Sequence, residues 1–164
     1  MGLYLRYLFW YIIYLNMNTL TFLILNLALG FYNVGTIWAM EVDIFRSWKF
    51  IGADFHKVQE VHWKKLPYWI FTPVALAFVG SIVLLWYHPT GSPMWAIWGV
   101  FFSQTLSLLL TTIFWGQWQA KLSKDTLGSQ SPYLTKILKT HWLRTLLINI
   151  YAFILLVWVL LLVK

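Results

Sequence analysis

The sequence contains no cysteine and few charged residues, and both features limit what the protein can be. Without cysteine, disulfides, thiolate metal sites and cysteine nucleophiles are excluded. Charged residues make up 10% of the 164 residues, whereas hydrophobic residues make up 60%. Soluble domains carry about 25% charged residues. The composition therefore indicates an integral membrane protein.

The few charged residues are unevenly distributed along the chain. All except Arg6 and Lys164 lie in two windows, residues 41–65 and 121–144, and residues 66–120 contain none. A helix needs about 20 apolar residues to cross the hydrocarbon core of a bilayer. The apolar runs predict four spans, at about residues 19–40, 66–87, 94–115 and 140–163.

The basic residues indicate how these spans are oriented. Lysine and arginine occur in the first and third connections and are absent from the second, around His88 to Pro93. Because such residues mark the cytoplasmic side, we expect both long connections in the cytoplasm and both termini outside, in a bacterial inner membrane. The net charge of +7 then reflects topology, and we expect no nucleic-acid partner.

The predicted fold is an all-α integral membrane four-helix bundle with an amphipathic cytoplasmic connection between the first and second spans. Residues 17–164 form one domain. Residues 1–16 are too short to span; an interfacial helix, a signal-like segment and an extension upstream of a start at Met17 are the alternatives. Tryptophans near the span ends predict two interfacial belts, because indole rings favour the headgroup level. Those belts include Trp48, Trp115 and Trp118 on the inner side and Trp158 on the outer.

Polar residues inside the spans are the first candidates for function. His141 and Arg144 are three residues apart and share a face of the fourth span with Thr145, Ile148 and Ala152. An arginine at this depth is costly and should have a partner, and Glu41, at the inner end of the first span, is the expected counter-ion. The alternative is an arginine that extends to the headgroups and only anchors the helix.

A second candidate cluster lies in the first connection, between Asp54 and Lys65. On a helix, His56 and Glu60 share one face, and Gln59 and His62 share another. His56 and His62 point in different directions, so a metal site would need one of them together with His141 and a carboxylate. Imidazole and carboxylate ligands suit Zn or Fe, and histidines on two helices suit haem. We therefore keep His56, Gln59 and Glu60 as cofactor-binding candidates without assigning a metal.

The arrangement resembles a known group of small membrane proteins. Its features are a first span ending in the segment Gly35 to Glu41, a His-containing connection, Trp-rich middle helices and a last span that opens with His141-Trp142-Leu143-Arg144. These resemble the four-helix membrane proteins grouped with the anthrone oxygenases. The resemblance implies that His141 and Arg144 are the functional pair and that a lipophilic, phenolic or quinone-like substrate enters from the bilayer.

Two functions from different classes follow. The first is an oxygenase-like membrane oxidoreductase, with His62 and His141 as acid–base or ligand residues, Arg144 stabilising an oxyanion and Glu41 orienting Arg144 or His141. The second is a non-enzymatic structural or accessory subunit whose aromatic surface packs against a partner or a second copy. The bilayer and a lipophilic small molecule are the expected partners, and the oligomeric state is open.

Overall fold

Four long helices make up most of the chain. The computed structural model describes residues 18–52 and 54–164, and the predicted segment 1–16 lies outside the described residues. The helices are α1, Thr19–Phe50; α2, Phe55–Val83; α3, Met94–Leu122; and α4, Pro132–Leu162. All four are long and apolar enough to cross a membrane. The predicted all-helical class and the four apolar helices are confirmed.

The helices continue beyond the apolar runs. The first helix ends at Phe50 and the second begins at Phe55, so the predicted amphipathic connection consists mainly of helical extensions of α1 and α2. The third and fourth helices similarly extend to Leu122 and from Pro132. The predicted span boundaries marked where hydrophobicity changes, but backbone hydrogen bonding continues through charged residues that are themselves good helix formers.

Three of the four helices contain a π-helical segment. These segments are Met40–Ile44 in α1, Pro67–Phe71 in α2 and Thr111–Trp115 in α3. In each, the residue after the segment donates its N–H to a carbonyl five residues earlier, as Phe45 does to Met40. Such segments occur frequently at functional sites. The fourth helix has none.

Pro73 leaves one carbonyl in α2 without its usual donor, and α1 supplies another. Proline has no N–H, so the carbonyl of Trp69, four residues earlier, cannot form the ordinary helical hydrogen bond. The hydroxyl of Tyr32 donates to this carbonyl at 3.2 Å. The side-chain amides of Asn33 and Gln104 similarly donate to the carbonyls of Pro73 and Val74. Polar residues of α1 and α3 thereby fix the middle of α2.

The helices pack in a ring in which α1 contacts α4 and α2, and α3 contacts α4 and α2. Two separate hydrophobic clusters fill the interior. One cluster includes Leu23, Ala77, Val100, Tyr151 and Trp158. The other lies nearer the charged helix ends and includes Met40, Phe45, Trp48, Phe55 and Ile137. Buried polar residues occupy the level between them: Asn33, Gln104, Ser107, Arg144 and Thr145.

Three of the predicted belt tryptophans are buried, and the prediction was wrong for them. Trp48, Trp115 and Trp158 are each at most 2% exposed. The indole N–H of Trp115 donates to Thr140 Oγ1, and that of Trp158 donates to Ser92 Oγ, both at 3.0 Å. Trp48 packs against Phe45 and Phe55. For Trp115 and Trp158, a hydroxyl inside the protein thus replaces the headgroup contact that a tryptophan at the interface would make.

A short hydrogen-bonded chain begins α4. The buried Ser131 is its N-cap: Oγ accepts from the N–H of Tyr133 at 3.2 Å and donates to Asp125 Oδ2 at 2.6 Å. The N–H of Leu127 donates to the other carboxylate oxygen of Asp125. These hydrogen bonds, that from Ser131 first, lower the pKa of Asp125 from its ordinary value because they stabilise the ionised carboxylate.

We expect Ser131→Ala to lower the free energy of unfolding by about 1 kcal/mol, because the Tyr133 N–H loses its acceptor. Folding lowers the pKa of Asp125. The stability that its ionised carboxylate adds is therefore present above the unfolded pKa of about 3.9 and is lost as the pH falls through the pKa of the folded state. The difference between wild type and Ser131→Ala should therefore shrink below about pH 4. Equilibrium unfolding in mixed micelles measures it, with exposed Ser47→Ala as the control. An equal loss in both variants would contradict the capping role.

Candidate functional site

Glu41 lies in the π segment of α1 and is buried between two cationic or polar partners. Its Oε2 accepts a hydrogen bond from His141 Nδ1 at 2.8 Å. Its Oε1 forms an ion pair with Arg46, whose Nε also donates to the Glu41 carbonyl. A carboxylate only accepts hydrogen bonds, so Nδ1 carries the proton in this pair. The carboxylate thus orients the imidazole, as expected from the sequence.

His141 is enclosed by aromatic rings. Its side chain is 0% exposed, and it makes edge contacts with Phe45 and Trp115 at ring-centroid distances of 4.5 and 6.3 Å. Its second nitrogen, Nε2, has no hydrogen-bond partner among residues 18–52 and 54–164. A buried polar atom without a partner is costly. An imidazole whose Nδ1–H is bonded to a carboxylate and whose Nε2 is unbonded has the arrangement of a general base.

Arg144 is 4% exposed. Within the described parts of the chain, its guanidinium forms no ion pair and no hydrogen bond. The expected Glu41–Arg144 pair does not form, because the two oxygens of Glu41 already bind Arg46 and His141. Buried charges normally have partners. An unpaired guanidinium inside an apolar helix assembly therefore calls for a ligand that supplies negative charge.

A cavity of about 560 Å³ lies beside Arg144. Its wall is made by α2 and α3, with Arg144 and Ile148 of α4 at its base. Ser107, Thr111 and Gln117 are among its polar lining residues. Other lining residues, such as Phe71 at 39% and Val79 at 54% exposure, lie at the outer surface, so the cavity opens between α2 and α3. Its volume is typical of a site for a drug-sized molecule.

His62 lies in a separate, smaller cavity. This cavity measures about 210 Å³ and includes Met40, Lys65 and Trp69; Ile70 borders both cavities. The imidazole of His62 contacts Trp48, which contacts Phe45, which contacts His141, at centroid distances of 5.1, 4.8 and 4.5 Å. The described residues show no direct contact between the two histidines. Trp48 and Phe45 lie between the two histidines, so His62 and His141 do not form the shared site that we expected.

The remaining candidates are dispersed along the first turns of α2. His56 is exposed, and Glu60 is exposed and paired with Lys64 at 2.7 Å. Gln59 is 3% exposed, and its Nε2 has no partner among the described residues. These three residues do not line the Arg144 cavity.

A metal site would need several ligand side chains close together. No group of three or more His, Asp or Glu side chains is placed to hold a metal ion in residues 18–52 and 54–164. His141 reaches only one carboxylate, Glu41, and that carboxylate is shared with Arg46. The expected Zn or Fe site, made of His56 or His62 together with His141 and a carboxylate such as Glu41 or Glu60, is not assembled among the described residues.

Arg46 could not be recognised from the sequence as the partner of Glu41. Residues five apart lie on different faces of a regular α-helix, so this pair has no helical signature. Glu41 lies in the wide turn Met40–Ile44 and Arg46 follows it, which permits the contact. Recognising the π segment would have required knowledge of how α1 packs.

Comparison with known proteins identifies no relative of this chain. No protein-family model matches the sequence, and no curated protein or solved structure is significantly similar to it. The resemblance to the anthrone-oxygenase group therefore stays a prediction based on the residues quoted for it.

Proposed function

We propose that the protein is inserted in a membrane and binds a lipophilic molecule with an acidic head group, taken from the bilayer into the Arg144 cavity. The observation that carries the proposal is the buried guanidinium at the base of a largely apolar cavity, which forms no ion pair or hydrogen bond with residues 18–52 or 54–164. A carboxylate or a phenolate would supply the missing charge, and a charge-assisted hydrogen bond in a low-dielectric site is stronger than a neutral one. The apolar wall would hold the rest of the molecule.

Membrane insertion is supported by the outer surface of the helices. Large apolar side chains are exposed on all four of them: Leu25, Phe31, Leu76, Phe102, Leu109 and Phe153. A soluble monomer rarely exposes so much contiguous apolar surface. The basic ends of the helices, including Lys49, Lys57, Lys121 and Lys136, favour a cytoplasmic position for the 51–54 and 123–131 connections.

The position of Arg144 suits an amphiphile. It lies five residues beyond Lys139 on α4, or about 7.5 Å along the helix axis. A head group at this level would lie just inside the interface, and its chain could extend along α2 past Val74 and Phe78. Ser107 lines the same cavity and offers a hydroxyl beside the guanidinium site.

The experiment compares palmitate with hexadecanol, which has the same chain length and no charge, by native mass spectrometry of the protein in detergent. We expect palmitate to bind at least about tenfold more tightly, because a hydrogen bond to a charged group contributes about 1.5–3 kcal/mol. Arg144→Gln should remove this preference, whereas Lys139→Gln, which removes an exposed charge nearby, should keep it. Ala75→Phe should weaken both ligands by filling the cavity.

Stability separates a binding arginine from a structural one. Since Arg144 has no ion-pair or hydrogen-bond partner in the described part of the chain, Arg144→Gln should leave the unfolding midpoint unchanged or raise it. A large loss of stability together with unchanged palmitate binding would overturn the proposal. Equal binding of palmitate and hexadecanol by the wild-type protein would also overturn it.

An oxygenase-like oxidoreductase acting on such a molecule is a second proposal. One observation favours it: His141 lies one turn before Arg144, is oriented by Glu41 and has an unbonded Nε2. As a base, His141 would withdraw a proton from a phenol or an enolisable carbon, and Arg144 would stabilise the resulting oxyanion. A conformational change that exposes Nε2 to the cavity is required, because the side chain of His141 is 0% exposed.

A further inference from the structure

A groove that shares no lining residue with the Arg144 cavity lies between α3 and α4. It has a volume of about 210 Å³ and is lined by Leu110, Phe114, Trp115, Trp118, Thr140 and Leu143. On α3, Leu110, Phe114 and Trp118 recur every four residues, and on α4, Thr140 and Leu143 are three apart. The polar atoms that could face it are already bonded, since Trp115 Nε1 donates to Thr140 Oγ1 and that hydroxyl donates to the Lys136 carbonyl. The groove is thus apolar along its length.

Two lysines meet at the charged end of this groove. Lys121 continues the α3 stripe beyond Trp118, and Lys136 lies one turn before Thr140 on α4. Their Nζ atoms lie 5.7 and 5.8 Å from the same ring centroid, that of Tyr133, and Lys136 Nζ also lies 5.9 Å from that of Trp118. Neither lysine forms an ion pair with a carboxylate of residues 18–52 or 54–164. Both ammonium groups therefore lie against the same aromatic ring, and no carboxylate among these residues neutralises them.

We propose that this groove binds one anionic phospholipid, with an acyl chain between α3 and α4 and the phosphate between Lys121 and Lys136. The charge at the open end selects an anionic head group, and the apolar stripe from Leu110 to Trp118, about 12 Å long, would contact part of an acyl chain. Each lysine near an anionic membrane surface contributes about 1 kcal/mol. A zwitterionic phospholipid has the same chains and a phosphate, but its ammonium group would lie near the two lysines. The inference depends on the membrane insertion proposed above and not on the Arg144 cavity.

The test is a titration of the delipidated protein with dioleoyl phosphatidylglycerol and dioleoyl phosphatidylcholine, followed by native mass spectrometry. We expect one phosphatidylglycerol to bind at least about tenfold more tightly than phosphatidylcholine. Lys121→Gln/Lys136→Gln should abolish the preference. The matched control Lys57→Gln/Lys64→Gln should retain it, because those lysines are exposed and paired with Asp54 and Glu60.

Two further arms test the groove itself. Leu143→Trp should fill the groove and weaken phosphatidylglycerol binding while both lysines remain, and glycerol phosphate, a head group without chains, should not compete. A preference that survives in the double lysine variant would overturn the site, as would competition by glycerol phosphate.

Other outcomes identify a different failure. If the wild-type protein is a dimer and Leu143→Trp dissociates it, a second copy of the chain covers the groove in place of a lipid. If the wild-type protein retained no lipid of either kind, membrane insertion would fail as well, whereas binding without preference would overturn this site alone.

Discussion

Glu41→Ala should lower the free energy of unfolding by about 3 kcal/mol. The substitution leaves His141 Nδ1 buried without its 2.8 Å partner, and it also removes the ion pair with Arg46. Breaking a buried pair by removing one member costs about 3–5 kcal/mol. We take the lower end because the Arg46 side chain is 49% exposed and its share of the interaction is screened by solvent.

The control is Glu60→Ala, which breaks the Glu60–Lys64 ion pair. Its 2.7 Å distance is close to the 2.8 Å between Glu41 and His141, but both of its side chains are exposed. It should change stability far less than Glu41→Ala does, because solvent screens a pair of exposed charges. Both variants are measured by equilibrium unfolding in mixed micelles. Equal effects of the two substitutions would show that burial adds nothing to the Glu41 pair.

Glu41→Gln distinguishes the enzymatic proposal from a structural role. The amide keeps a hydrogen-bond acceptor for His141 Nδ1 but loses the negative charge. If His141 is a base, this variant stays folded, keeps palmitate binding and loses turnover of a phenolic substrate. If the Glu41–His141 pair only joins α1 to α4, the variant loses stability and the bound ligand is not converted in either protein.

Gly80→Ala should also be costly, by about 2 kcal/mol. A Cβ at this position would overlap Oδ1 of Asn26, so the structure must shift to accommodate it. Asn26 cannot turn aside freely, because its amide donates to the carbonyl of Phe22 at 2.8 Å within a 4% exposed site. Overpacking of this kind typically costs about 1–3 kcal/mol.

A double-mutant cycle identifies the cause. The three atoms nearest to the added Cβ all belong to Asn26, so Gly80→Ala should cost much less in an Asn26→Ala background. Gly35→Ala is the matched control: it lies on α1, and no atom lies within 4 Å of the added Cβ. It should be neutral or slightly stabilising, since alanine favours helix more than glycine. A Gly80→Ala penalty that persists without Asn26 would point to another contact.

The buried faces of α1 and α4 could be predicted from periodicity. The predicted α4 face of His141, Arg144, Thr145, Ile148 and Ala152 is buried throughout. On α1, residues at helical spacing are likewise buried: Asn26, Gly30, Asn33, Ile37 and Glu41. Polar residues form hydrogen bonds between helices and small residues let helices approach closely, so their spacing indicates which face is turned inward.

The partners of those residues could not be predicted in the same way. Periodicity shows which face of a helix is buried but not which residue lies opposite, and the distances between helices depend on packing. Glu41 pairs with Arg46 across the wide turn of the π segment that contains Glu41, and Phe45 and Trp48 separate His62 from His141. The 560 Å³ cavity likewise depends on the separation of α2 and α3, which no single helix encodes.

The π segments have a practical consequence for any sequence alignment or crosslinking design. Each adds one residue to a turn, which rotates everything beyond it by about 100° relative to a regular helix. A helical wheel drawn across all of Thr19–Phe50, Phe55–Val83 or Met94–Leu122 would therefore assign the wrong side to one half. Pro132–Leu162 alone keeps a single register from end to end, and its residues are the reference against which positions on the other three helices should be matched.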